Sequence, residues 1–290
     1  MSLLAVFFLW ALHFLPLALL APLGRGLGDL LYRFGKQRGK IVETNLRLCF
    51  PDLDAPRRAA LKKAHFRVLG RSLLERSLLW WSRPERLRKL IHIRGEEKIR
   101  DILEAGKTVI MLTPHFVGID AGGTRISMEF DSLSVYSKQK NKVFDKLVLR
   151  GRKRFGNQIL LSRQEGILAT IKAMRSGRPF YYLPDMDFGR RNSIFVPFFG
   201  VDAATITGLP RLARVADAKV MLVTTRFLPG SEGYLVEIGD PWMDFPTSSV
   251  EADTQRMNSA IENAVRLMPE QYYWVHRRFK TRPKGQARYY

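Results

Sequence analysis

From residue 91 onward the chain repeats one alternation: a short, unbroken apolar run followed by a longer stretch with helical spacing. IHI opens the series at 91–93, EEKIRDILEAGK follows as a helix closed by Gly106, and TVIMLT (108–113) is the next apolar run. A run that is apolar at every position is buried on both sides, which a strand achieves inside a sheet with helices over both faces. LSVYS, PFYYLP, SIFVPFF, KVMLVTTRF and YLVEIG read as further strands. Helices are expected near 118–130, 142–155, 164–176, 205–216 and 252–267. The expected fold class is therefore α/β: a mixed, mostly parallel sheet covered by helices on both faces.

The first 90 residues are different in kind. Residues 1–24 contain no Asp, Glu, Lys or Arg, and about 20 apolar residues suffice to cross a bilayer as a helix. Arg25, Arg33, Lys36, Arg38 and Lys40 follow against a single acid, Asp29, which places that flank on the cytoplasmic side. A cleaved signal peptide fits less well, because no basic residue precedes the apolar run, although ALLAP is loosely compatible with cleavage. Pro16 and Pro22 argue for a bent or half-inserted helix, so the segment either spans the membrane or lies in its interface. Residues 40–48 and 56–79 read as amphipathic helices separated by the turn Phe50-Pro51-Asp52. The expected division is an anchoring segment over 1–24, a basic helical membrane-proximal region over 25–90 and an α/β domain over 91–290.

Charge narrows the partners. The sequence has 48 Lys+Arg against 27 Asp+Glu, a net charge of +21, which calls for nucleic acid, phospholipid headgroups or an acidic substrate. The apolar N-terminal segment favours anionic membrane lipid, and nucleic acid is not the expected partner. Cys49 is the only cysteine, which excludes an intrachain disulfide and a cysteine metal site.

TPHFVGIDAGG (113–123) carries the reactive candidates, His115 and Asp120. Five residues on a helix is a rotation of roughly 140°, so the two cannot share a helix face. The spacing works with His115 in the loop and Asp120 in the first turn of the next helix, its carboxylate turned back to the ring. A carboxylate on Nδ1 fixes the tautomer and leaves Nε2 free to take a proton. Gly118, Gly122 and Gly123 weaken that helix and permit close approach of a chain or backbone. The bland alternative is a strand ending in a turn. The same spacing occurs at His92 and Glu97, where the histidine sits mid-strand and the match reads as structural. No nucleophile elbow or Walker-type loop is present, and Gly24, Gly26 and Gly28 follow an apolar segment rather than a strand. The simplest chemistry left for the pair is general-base activation of a substrate hydroxyl.

Two further stretches offer supporting groups. KLVLRGRKRFGN (146–157) supplies Arg150, Arg152, Lys153 and Arg154, or merely a solvated basic face. YYLPDMDFGRRN (181–192) places Asp185 and Asp187 after an apolar strand. Asp-x-Asp can bind a metal, but turn and cap carboxylates are commoner and no third ligand is evident, so no metal site is expected. Asp187 is expected to face an arginine of the 146–157 stretch as a buried ion pair. In ATITGLPRLAR, Thr205 or Thr207 reads as an N-cap whose helix start can receive an anionic group.

These motifs, in this order, resemble the late acyltransferases of lipid A biosynthesis, the lauroyl/myristoyl transferase family. The resemblance covers nearly the whole chain and rests on the apolar N-terminus, NLRLCFPDL, MLTPHFVGIDAGG, RGRKRFG, YYLPDMDFG, SIFVPFFG, ATITGLPRLAR and QYYWVHRRFKTRP. It implies a fold similar to the glycerolipid acyltransferases. It also implies transfer of a fatty acyl group from acyl carrier protein to a hydroxyl of a Kdo-bearing lipid A precursor. The implied location is the cytoplasmic face of the Gram-negative inner membrane, with no cofactor. Carried over by motif, the His-x4-acid pair is His115 and Asp120; many members have glutamate at the second place. Arg150 and Asp187 match the supporting pair best, with Arg152, Asp185, Gly118 and Thr207 as further supporting or substrate-binding candidates. The alternatives are a lysophospholipid or lysophosphatidate acyltransferase with the same site, and a non-catalytic basic protein of the membrane surface.

Overall fold

The structure, a computed structural model, describes residues 3–139, 141–162 and 165–290. In chain order its elements begin with α1 (Leu3–Leu12), α2 (Leu17–Phe34), α3 (Lys36–Cys49), α4 (Ala55–Trp81) and α5 (Pro84–Leu90). The alternating part follows: β1 (Ile91–Arg94), α6 (Glu96–Glu104), β2 (Thr108–Leu112), α7 (Ile119–Glu129), β3 (Leu133–Tyr136), α8 (Lys142–Arg152), β4 (Ile159–Ser162), α9 (Gly166–Arg175) and β5 (Phe180–Tyr182). Then come β6 (Ser193–Phe198), β7 (Val201–Ile206), α10 (Gly208–Ala216), β8 (Ala218–Phe227), β9 (Tyr234–Pro241) and α11 (Val250–Leu267).

Seven strands form one sheet in the order β1-β9-β8-β2-β5-β3-β4. The pairings are parallel apart from β8 with β9, so the sheet is mixed and mostly parallel. Its centre is the unbroken apolar run 108–112, buried at every position. Ile110 and Leu112 face a core shared with α3, α9, α10 and α11. Val109 and Met111 face a second core with α5, α6 and α7. Helix α4 enters both cores, through Phe66 on one side and Leu79 on the other. Two-sided burial is what the sequence pattern demanded, and at about 25 cal/mol per Å² it is the main source of stability.

Two elements depart from the sequence reading. ILLS forms β4 at the sheet's edge, where half-burial leaves only a weak strand pattern. SIFVPF does not join the sheet but pairs with β7 as an antiparallel hairpin. The hairpin turn is Phe199-Gly200, both at positive φ, as a two-residue type I′ connection requires. With phenylalanine in place of the usual asparagine or aspartate, the turn carries no sequence signal. The strand therefore occupies 201–206, and the helix begins only at Gly208.

The apolar N-terminus also differs from the expected anchoring helix. Proline cannot donate a backbone hydrogen bond inside a helix, and the segment divides at Pro16 into α1 and α2. Among the described residues no helix is long and apolar enough to cross a membrane. Helix α2 runs through the 24/25 boundary and lies on α4, glycine against glycine. A Cβ on Gly70 would meet the Gly24 carbonyl oxygen at 2.3 Å and the Gly28 nitrogen at 2.4 Å. Beside this crossing, buried Arg71 pairs with buried Glu75 at 2.6 Å, and Glu75 also accepts the Tyr234 hydroxyl from β9. The N-terminal helices are thus tied through α4 to the sheet.

Because only backbone surrounds the missing Cβ of Gly70, Gly70→Ala is expected to separate the helices and lower stability by about 1–3 kcal/mol. Gly26 has open space around it, so Gly26→Ala is expected to be neutral or to stabilise by up to about 1 kcal/mol. Thermal melts of the two variants check the contrast; equal melting temperatures would remove the crossing as a constraint.

Candidate active site

The site is built where two neighbouring parallel strands stop together. β2 pairs with β5 in a register that sets Leu112 opposite Tyr182. Each strand then continues through one residue and a proline: Thr113-Pro114-His115 from β2, Leu183-Pro184-Asp185 from β5. A residue before proline is confined to extended backbone, so both exits start straight. Thr113 extends the ladder by donating its N–H to the Tyr182 carbonyl at 2.8 Å. Equal offsets from one register bring His115 and Asp185 together at the carboxyl ends of the strands, the position where open α/β sheets place their ligands.

The Asp185 carboxylate is 1% exposed and fully engaged. Its Oδ1 lies 2.5 Å from His115 Nδ1, and its Oδ2 accepts the His115 backbone N–H at 2.8 Å and the Tyr272 hydroxyl at 2.9 Å. Burial would raise its pKa, but the His115 ring and these donated hydrogen bonds outweigh it and hold the carboxyl below the usual carboxylate value. Nδ1 thus carries the proton toward Asp185. Among the described residues Nε2 has no partner, which is the arrangement of an oriented base.

The expected brace, Asp120, is elsewhere. It lies in the first turn of α7, as the spacing required, but its carboxylate is taken by arginines. Arg76 of α4 bonds Asp120 Oδ2 at 2.7 and 2.9 Å, and Arg152 of α8 lies 3.6 Å from Oδ1. Burial pushes this carboxyl up, and the two guanidinium charges pull it below its ordinary value. The arginine of the RGR stretch that reaches Asp120 is therefore Arg152 instead of Arg150, though both are exposed. Gly151 between them packs on Trp80, where a Cβ would come within 2.5 Å of the indole.

Asp187 makes no ion pair with α8. It accepts the Thr281 backbone N–H at 2.6 Å, the Thr281 hydroxyl at 2.8 Å and the Gly189 N–H at 2.9 Å, with Lys280 Nζ at 3.9 Å. The reason is directional: the chain leaving β5 turns toward the C-terminal segment, while α8 packs on α4 and α7. Gly118 and Gly122 stand where neighbouring elements leave little room for a side chain. A Cβ on Gly122 would lie 2.0 Å from Thr225 Oγ1 and 3.0 Å from the Tyr181 hydroxyl, and one on Gly118 would lie 3.2 Å from the Thr225 carbonyl oxygen. They let α7 sit close on β8 and β5. Thr207 is at the N-cap position of α10 without a side-chain capping bond, and the Tyr182 hydroxyl stands where a Cβ of Gly208 would be. That start is occupied by a phenol instead of being open to an anion.

Sequence reasoning missed the strap formed by QYYWVHRRFKT. Residues 115–117 and 271–273 exchange backbone hydrogen bonds, Val117 N–H to the Gln271 carbonyl at 2.7 Å and Tyr273 N–H to the His115 carbonyl at 2.9 Å. His276 Nε2 accepts the Asp187 N–H at 3.0 Å. Buried His65 of α4 donates from Nδ1 to the Glu270 carbonyl at 3.0 Å. The signal available for Asp185 was the repeated strand-proline ending, TPH and LPD; Arg76 had no signal, since its partner comes from a distant helix.

Comparison with known proteins decides what kind of site this is. The model of the bacterial lipid A biosynthesis acyltransferase family matches residues 1–281. The chain belongs to this family. It is 36% identical to the lipid A biosynthesis lauroyltransferase of Escherichia coli (strain K12), over 96% of this chain and 90% of that one. It is 32% identical to the palmitoleoyltransferase of the same organism, over 97% and 92%, and 30% identical to the myristoyltransferase, over 94% and 83%. Membership makes the chain an acyltransferase.

Burial holds His65 and His276 at about 4, below the ordinary 6.5, and for His276 the neighbouring His115 and Arg278 add to it. The unfolded chain takes up these protons near 6.5 and the folded chain only near 4. Stability is therefore complete above pH 6.5 and is lost as pH falls toward 4. For His65 the loss is about 2–3 kcal/mol. His65→Gln, which keeps a donor for Glu270 but does not titrate, is expected to flatten this part of a melting-temperature profile. An unchanged profile would refute the assignment.

Proposed function

We propose that this chain moves a fatty acyl group from the thioester of acyl carrier protein to a hydroxyl of a Kdo-bearing lipid A precursor, with His115 as general base. The observation that carries the mechanism is the imidazole held at Nδ1 by buried Asp185 with Nε2 unpartnered among the described residues. In this reading Nε2 takes the proton of the acceptor hydroxyl as its oxygen attacks the thioester carbonyl carbon. The tetrahedral intermediate collapses, the C–S bond breaks, and the imidazolium returns its proton to the departing thiolate. Asp185 keeps the tautomer and compensates the imidazolium charge without being protonated itself. Asp120 plays a different part, holding Arg76 and Arg152 side by side as a cationic pair suited to the acceptor's phosphates. The net charge of +21 supports both an acidic carrier protein and a phosphorylated lipid.

The acceptor is a lipid, and the N-terminal helices supply a seat for it. Leu4, Phe7, Phe8, Phe14, Leu19 and Leu23 of this region are all more than half exposed, and Leu30 and Phe34 continue the apolar surface. Exposed Arg33, Lys36 and Lys40 follow at once. An apolar surface beside a basic one suits the boundary between headgroups and acyl chains of an anionic membrane. We place the protein there, on the cytoplasmic face of the Gram-negative inner membrane.

His115→Ala is expected to reduce acyl transfer by about 10³-fold or more and Asp185→Asn by about 10²-fold, with folding retained. Asp120→Asn should be severe but smaller, and should raise KM for the acceptor more than it lowers kcat. Purified protein given acyl carrier protein thioesters and lipid A precursor, with products read by mass, measures all three; near-parental activity of His115→Ala removes the histidine as base. Phe7→Glu combined with Phe8→Glu is expected to cut co-sedimentation with anionic phospholipid vesicles about tenfold while leaving the melting temperature in place. Undiminished sedimentation would refute the seat.

A further inference from the structure

The second oxygen of Asp185 has a donor that acyl transfer does not require for substrate contact. The Tyr272 hydroxyl lies 2.9 Å from Oδ2, and both groups are buried. The Tyr272 ring is packed among Phe116, Phe198 and Trp274, with centroids 5.9, 6.0 and 4.8 Å away. A phenylalanine would fill this apolar nest equally well, so the nest does not explain the hydroxyl. Among the described residues the hydroxyl's one hydrogen bond is to the carboxylate that holds His115. We propose that Tyr272 is a positioning residue that sets the proton affinity of His115 by drawing charge away from Asp185.

The physics is a competition for one carboxylate. A hydrogen bond donated to Oδ2 spreads the negative charge and weakens its pull on an imidazolium at Oδ1. Burial and the Asp185 charge hold the phenol well above its ordinary value, so it remains a donor through the working range. The other charged or titratable groups around the set are Tyr273, His276 and Arg278 from the strap, Asp187 beside His276, and buried Cys49 from α3. Arg278 is buried, donating to the Ala204 carbonyl and Thr205 Oγ1, and its fixed charge is the same in either protonation state of His115. His276 stays neutral down to about 4 and so adds no titrating charge near neutrality.

The inference rests on the reading of His115 as base, and its test separates the two. In Tyr272→Phe the carboxylate keeps more of its charge for the ring, and the imidazolium holds its proton to higher pH. The acidic limb of the kcat/KM profile is expected to move up by about 0.5–1 pH unit, a loss of about 3–10-fold below the limb. Above the limb the rate should stay within about 3-fold, with KM for donor and acceptor unchanged. 3-Fluorotyrosine at position 272, a stronger donor of nearly the same size, should move the limb to lower pH. It also provides the reading if the phenylalanine variant does not fold. A limb that stays in place in either folded protein overturns the proposal. An inactive His115→Ala alongside an unmoved Tyr272→Phe profile leaves the base in place and removes only the role of Tyr272. An active His115→Ala removes both.

Discussion

The parallel pairing of β2 with β5 is the constraint on which the site depends. It lies in the sheet's interior, where every residue of both strands is buried. Once Leu112 stands opposite Tyr182, two prolines carry the chains out over matching distances and deliver a histidine to an aspartate. A slip of one residue would turn every side chain of β5 to the other face and carry Asp185 away from the ring. The cores on the two sides of the sheet therefore hold the register, and the register holds His115 against Asp185.

The α/β class, the central strand and the place of His115 at that strand's end were legible because two-sided burial writes itself as unbroken apolar runs, and a strand's end can be read from where such a run stops. The identity of the brace was not legible. Asp120 and Asp185 are both carboxylates in plausible places, and which one meets the ring is decided by register and by arginines from α4 and α8, which are tertiary facts. The hairpin of β6 and β7 escapes the sequence for a local reason: Phe199 takes the left-handed conformation that sequence reading reserves for glycine, asparagine or aspartate. The N-terminal helices look like one in sequence because composition records apolarity, and Pro16 weighs more in backbone hydrogen bonding than in composition.

The high positive charge, too, means less than its sum. Several arginines are spent inside the fold as donors to carbonyls that helices leave open. Arg154 donates to the Leu79 and Ser82 carbonyls at the end of α4, and Arg86 to the His13 and Leu15 carbonyls between α1 and α2. Arg71 is committed to Glu75, and Arg278 to the β7 strand. These cations hold elements together, so part of the positive charge serves the fold itself.

The strap at 271–281 also imposes an order in time. The apolar helices leave the ribosome first, the strand bearing His115 later, and the segment that clamps Asp185 and Asp187 last of these. Until that segment is in place, residues 115–117 lack the backbone partners that fix them. The position of the His115 backbone therefore depends on a segment about 155 residues further along the chain.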